Sequence, residues 1–183
     1  MKSLQGHLLI AAPTLLDPNF FRSVVLIVQH TEDGALGLII NRPLTTTVRE
    51  AWRQVAKEPC KVDGVLYQGG PCEGPLMVVH TNRRVSDIEI LPGLHFSTDR
   101  DSIEHLVRRN ASRMKFFVGY SGWAAGQLEG ELAADSWLVA PATPELVFSE
   151  SDDQWTTIIR QISPELLMPG VNPKTIPPDP SFN

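Results

Sequence analysis

Cysteine is scarce in this 183-residue chain, and the two present, Cys60 and Cys72, do not form a CxxC pair. That excludes a disulfide scaffold and a tetrahedral thiolate zinc site, leaving reduced, inert thiols as the expectation. Long apolar runs are also missing: no stretch approaches the ~20 residues that span a bilayer. The apolar segment near the start, Leu8 to Ala12, covers only five residues. A secretory core needs about 7–15, so the chain reads as cytoplasmic, with no membrane partner. Positive charge is in deficit. Sixteen Lys and Arg against 21 Asp and Glu leave a net charge of −5. Nucleic-acid binding draws on Lys and Arg that neutralise phosphates, so the balance argues against direct nucleic-acid binding.

What is present is ordinary globular composition, 42% hydrophobic and 20% charged, in a length that suits one domain. The reading is a single domain over residues 1–168, followed by a proline-rich tail over 169–183 that is extended or disordered. Leu8–Ala12 is a short strand ended by Pro13, and residues 15–22 are a loop or single helical turn. Ser23–Val28 and Ala35–Ile40 are continuous aliphatic runs joined by Glu32-Asp33-Gly34, a hairpin of two strands buried on both faces. Thr47 caps a helix carrying Val48, Ala51, Trp52, Val55 and Ala56 on one face, ended by Pro59. Strands follow at Val62–Tyr67, Leu76–His80 and Gly93–Ser97. A second helix, capped by Ser97 or Asp99, buries Ile103, Leu106 and Val107. Lys115–Val118 is a buried strand leading through a Gly119–Trp123 turn into a helix over about 124–134. Ser136–Ala140 is the last strand, and Trp155, Ile158, Ile159 and Ile162 face inward from a closing helix. Irregular alternation around a hairpin implies α+β architecture with a mixed or antiparallel sheet and helices packed outside, and excludes a doubly wound parallel sheet.

Known chemistries do not match. Gly119-Tyr120-Ser121-Gly122-Trp123 has tryptophan where a nucleophile elbow needs its second glycine, and no histidine follows His105. The glycine clusters fit neither GxGxxG nor GxxxxGK[ST]. No HxH or HExxH pair exists, so no metal or cofactor is expected. Glu129 and Glu131, two residues apart on a helix, point to different sides and make a poor acid–base pair.

Four strings occur in order: Asp17-Pro18-Asn19-Phe20-Phe21-Arg22-Ser23-Val24-Val25; Asp33-Gly34-Ala35-Leu36-Gly37-Leu38-Ile39-Ile40-Asn41-Arg42-Pro43; Gly69-Gly70-Pro71; and Gly119-Tyr120-Ser121-Gly122-Trp123-Ala124-Ala125-Gly126-Gln127-Leu128-Glu129. Together they resemble the AlgH/YqgE family of bacterial proteins over roughly Leu4 to Ile162. The resemblance implies a mixed, mainly antiparallel bent sheet forming a pseudo-barrel. It also implies, by family name only, a role in transcriptional regulation. It carries no catalytic residues. It does mark a candidate ligand or partner site at Asn41, Arg42, Gly69, Gly70, His80, Tyr120, Trp123, Gln127 and Glu129. The glycines also have a structural reading as tight turns, with Trp123 plugging the barrel end. The expected function is non-catalytic binding or regulation through a protein partner or small ligand. The alternative is a hydrolase or transferase using Arg42, His80 and Glu129 near the glycine turns, which requires the three to converge. Sequence sets no oligomeric state.

Overall fold

The computed structural model of the chain describes residues 2–167 apart from 57, 111 and 152; the proline-rich tail expected over 169–183 lies outside the described residues. Among the described residues the chain forms eleven strands in two sheets. The first sheet contains β1 (His7–Ala11), β2 (Val24–Thr31), β3 (Gly34–Ile39), β10 (Ser121–Ala124) and β11 (Trp137–Pro141), ordered β10-β3-β2-β1-β11. The second contains β4 (Pro43–Thr47), β5 (Val65–Gln68), β6 (Met77–His80), β7 (Ile88–Leu91), β8 (Leu94–Ser97) and β9 (Met114–Val118), ordered β4-β5-β9-β6-β8-β7. Every pairing is antiparallel except β5 with β9. The α+β class and the mainly antiparallel character are as expected. The pseudo-barrel holds only loosely: among the described residues no barrel closes, and the strands lie in two open sheets, each with two edge strands.

The period of two in each strand sorts side chains into layers. One face of the first sheet (Leu8, Ile10, Val24, Leu26, Leu38) meets one face of the second (Met77, Val79, Phe96, Phe117) in the central core. The closing helix α5 (Gln154–Ile162) adds Trp155, Ile158 and Ile159 to that core. The opposite face of the first sheet (Leu9, Val25, Ile27, Ile39) packs with Trp123, Trp137 and Leu128, the last of these on α3 (Gln127–Ala133). The outer face of the second sheet is covered by α1 (Val48–Val55) and α2 (Arg100–Arg109), through Trp52, Ile103, Leu106 and Val107. The resulting order is helix, sheet, sheet, helices. Among the described residues no helix is long and apolar enough to cross a membrane.

Local rules set the helix starts. Thr47 makes a capping box with Glu50, and Asp99, of the two candidates, caps α2 by accepting from the Ser102 N–H. The apolar face of α1 is narrower than expected, since Val55 is 56% exposed. Three strands were not expected. β4 is an edge strand beginning at Pro43, a position where a missing N–H is tolerated. β7 pairs only with β8, at the other edge of the same sheet. β10 replaces the turn expected over 119–123 and the first residues of the expected helix. Its registers Ser121↔Gly37 and Trp123↔Ala35 are long-range, so local turn chemistry concealed them. A short helix α4 (Pro144–Val147), capped by Thr143, was also not expected.

Candidate functional site

The strings that point to a site meet at the seam between the sheets. Residues 34–37 and 121–124 pair as β3 and β10, so the second and fourth strings share one surface. The Gly69 carbonyl accepts from Ile39 N–H (2.8 Å) and Ser121 Oγ (3.1 Å), and Gly69 N–H donates to Val118 O (2.9 Å). Cys72 and Tyr120 exchange both backbone hydrogen bonds at 3.0 Å. A Cβ on Gly69 or Gly70 would overlap the backbone of Gly119 or of Tyr120–Ser121. These glycines are therefore required where the chain crosses between the sheets at backbone contact.

The other marked residues fall into separate hydrogen-bonded groups. Asn41 Oδ1 accepts from Val24 N–H (2.9 Å), and its Nδ2 donates to Arg22 O (2.9 Å). Arg42 Nη2 donates to Phe21 O (3.1 Å). The pair clamps the loop over residues 17–22, on which Phe21 (47%) is exposed, with Leu16 (77%) exposed just before it. Arg22 has φ of 51° and stands over the rings of Phe21 and Trp155. Glu129 Oε1 accepts from His30 Nε2 (3.0 Å), whose Nδ1 accepts from Leu4 N–H, which fixes the tautomer. Glu131, on the other side of α3, accepts from the indole N–H groups of Trp123 (2.9 Å) and Trp137 (2.8 Å), and Gln127 donates to it as well. Trp123 therefore lies beneath α3 on the outside of the first sheet, not at a barrel end.

His80 is fully buried in the second sheet. Its Nδ1 accepts from Asn82 N–H and its Nε2 donates to Ser97 Oγ (3.0 Å), which donates on to Val85 O. Burial, then the stacked His95 at 5.9 Å, lower its pKa to about 4, so it is neutral at physiological pH. Arg42, His80 and Glu129 thus hold three different partners. Among the described residues no group of three or more His, Cys, Asp or Glu converges as a metal site requires.

A different cleft carries unspent chemistry. It has a volume of about 260 Å³, between the start of α1, residues 62–67, the first half of β9 and residues 148–150. Lys115 lines it. On β9 this lysine alternates onto the same face as Phe117, toward the central core, and it is only 4% exposed. Lys115 Nζ donates to Ile40 O (3.0 Å) and Ser149 O (3.2 Å) and lies 4.2 Å from the Tyr67 ring centroid. Burial lowers its pKa to about 8 against the opposing pull of Glu150. Burial, reinforced by Glu150, raises that of Tyr67. Arg113, over the Phe148 ring at 4.8 Å, stands at the rim. The link to the marked strings is direct: Ile40 precedes Asn41-Arg42, and Pro43 pairs with Tyr67. The readable signal was a lone lysine alternating with Phe117 inside an apolar strand, which sequence reasoning passed over. A second hollow, beside α2, is lined among the described residues by Asp101, Glu104, His105, Arg108 and Arg109, all from that one helix.

Two stacked open sheets, helices on the outer faces and a cleft walled by Lys115 define an α+β fold. The chain belongs to the AlgH-like family, which it matches over residues 8–167. It is 38% identical to a UPF0301 protein of Chlorobaculum tepidum, covering 91% of this chain and 95% of that protein. It is 39% identical to one of Myxococcus xanthus, covering 93% and 98%. Among solved structures it resembles the AlgH protein from Pseudomonas aeruginosa (TM-score 0.73, 33% identity, 94% of each chain). It also resembles a protein from Corynebacterium diphtheriae (TM-score 0.73, 27% identity, 91% of each).

Proposed function

We propose that this chain is a non-catalytic binding protein of regulatory type that takes a small carboxylic acid in the Lys115 cleft. The observation that carries the reading is Lys115 itself, an amine taken below the surface to the wall of a cleft. Burying a lysine charge is costly, and perturbed groups in clefts concentrate at functional sites. Arg113 on the rim supplies a guanidinium for a carboxylate. Val48, Val65 and Phe148 supply apolar walls. Sites for drug-sized molecules run to roughly 300–1,000 Å³, so a cleft of about 260 Å³ suits a molecule of a few carbons. The reading is tested by titrating the full chain with lactate, pyruvate and alanine while following backbone amide shifts. Saturable shifts centred on Tyr67 and residues 113–116 are expected; shifts scattered over the surface, or none, refute it.

A second reading draws on the clamped loop over 17–22. The exposed Phe21 on that loop and Leu16 beside it favour a protein partner, as apolar groups held out on an anchored loop do. The hydrolase or transferase alternative draws no support from Arg42, His80 and Glu129, each of which is engaged separately.

A further inference from the structure

We propose that Lys115 Nζ captures a small oxo-acid, an aldehyde or ketone that also bears a carboxylate, as a reversible imine. The proposal rests on reading the cleft as the ligand site and names the chemical class it takes. Its basis is the geometry of the amine. A tetrahedral Nζ has four directions: one is the bond to Cε, and two point to Ile40 O and Ser149 O at 3.0 and 3.2 Å. Those two acceptors match the two N–H groups of a neutral amine. Among the described residues no third hydrogen-bond acceptor meets the nitrogen, whose other neighbour is the π face of Tyr67, so in the neutral form the lone pair is committed to no hydrogen bond. The cleft favours that form, since a pKa of about 8 leaves about half the amine neutral at pH 8. The Tyr67 ring, 4.2 Å from the nitrogen, presents a π face to the cation that forms next.

The step balances without an oxidant or reductant. The nitrogen lone pair bonds to the carbonyl carbon as the C=O π pair moves to oxygen, and one N–H proton passes from the nitrogen to that oxygen to give a neutral carbinolamine. A second proton, from solvent, lets the oxygen leave as water while the nitrogen lone pair forms the C=N bond, leaving an iminium with one N–H. The iminium N–H keeps one of the two backbone carbonyls as its acceptor. Glu150, which lines the cleft and acts electrostatically on both Lys115 and Tyr67, is the carboxylate placed to relay those protons. Arg113, paired with Glu145 Oε1 at 3.8 Å on the rim, exchanges that exposed ion pair for the ligand carboxylate, so the carbonyl end points inward. Water reverses the capture, as a reversible sensor requires.

The test uses the full chain, pyruvate or glyoxylate at pH 8, and sodium borohydride to reduce any iminium to a stable secondary amine. One adduct per chain on the Lys115 peptide is expected, at least about tenfold over the exposed Lys2 and Lys61, which lie outside the cleft and lack its apolar walls and rim guanidinium. Lys115→Arg should lose the adduct, and Arg113→Gln should raise the acid concentration needed. Because Lys115→Arg is a core change that can unfold the chain, the wild-type adduct map is decisive alone. No adduct on Lys115, or equal labelling of Lys61, overturns the proposal. Amide shifts recorded in parallel separate the two failures. Shifts at Tyr67 and Lys115 with both pyruvate and lactate but no adduct keep the cleft as a binding site and remove the imine. Shifts with neither acid remove both.

Discussion

Three glycine-to-alanine changes separate backbone strain from steric overlap at the seam. Gly119 has φ of +70°, and a Cβ there would lie 2.7 Å from Gly70 O, 2.7 Å from Gln68 Nε2 and 3.0 Å from Cys72 O. The left-handed conformation costs an alanine roughly 1–2 kcal/mol. Two of the three neighbours are backbone oxygens, one of them within the Cys72–Tyr120 bridge, so they cannot swing aside. Relieving that overlap costs roughly 1–3 kcal/mol more, which makes Gly119→Ala a loss of about 3 kcal/mol in all. Gly93 shares the strain (φ +83°) but has nothing within 4 Å of a new Cβ. Gly93→Ala should lose only the strain, about 1 kcal/mol. Gly130 lies inside α3, exposed and uncrowded. Gly130→Ala should gain about 0.5–1 kcal/mol from helix propensity and a less flexible unfolded chain. For a chain of this size each kcal/mol moves Tm by roughly 2–4 °C. Urea and thermal unfolding by far-UV circular dichroism should therefore order the variants Gly130→Ala, wild type, Gly93→Ala, Gly119→Ala. If Gly119→Ala melts with Gly93→Ala, the seam yields at no cost and close backbone approach is not what its glycines provide.

Glu131→Ala leaves the indole N–H groups of Trp123 and Trp137 without their acceptor. It should cost about 2–4 kcal/mol and shift tryptophan emission, with Glu131→Gln losing less; an unchanged melt and spectrum would refute this. Asn41→Ala removes the bonds to Val24 N–H and Arg22 O. It should cost about 1–3 kcal/mol and speed limited proteolysis within 17–22, and equal cleavage rates would count against the clamp. His80 gives a pH dependence of defined sign. Its folded pKa of about 4 lies below the unfolded value of 6.5, so its contribution is complete above pH 6.5 and is lost as pH falls towards 4. The loss is at most roughly 3 kcal/mol. NMR titration of the His80 ring should show no protonation down to about pH 5; an ordinary midpoint near 6.5 would sink the assignment.

Much of the fold was legible because its cues are local. The β2–β3 hairpin follows from two aliphatic runs around a two-residue Glu32-Asp33 turn. The capping box of α1 needs only residues 47–50. The opposite roles of Glu129 and Glu131 follow from helical spacing, one reaching His30 and the other the two indoles. By contrast, β10 looks like a turn until its partner strand is known, because Gly-Tyr-Ser-Gly has low strand propensity and its ladder lies more than 80 residues away in β3. The same distance hid the partner of His30, which on sequence alone is a lone histidine beside an acidic turn.

By itself the chain's order of residues determined, through four ordered strings, the family, and through local cues the α+β class and most element positions. Those properties rest on periodicity, caps and turn residues, which act over a few positions. Tertiary structure alone decided that there are two open sheets, that Arg42, His80 and Glu129 serve three separate partners, and that Lys115 meets Ile40, Tyr67 and Ser149 at one cleft. Each of these depends on segments far apart in sequence being brought within a few ångströms, and no local pattern specifies which segments those are.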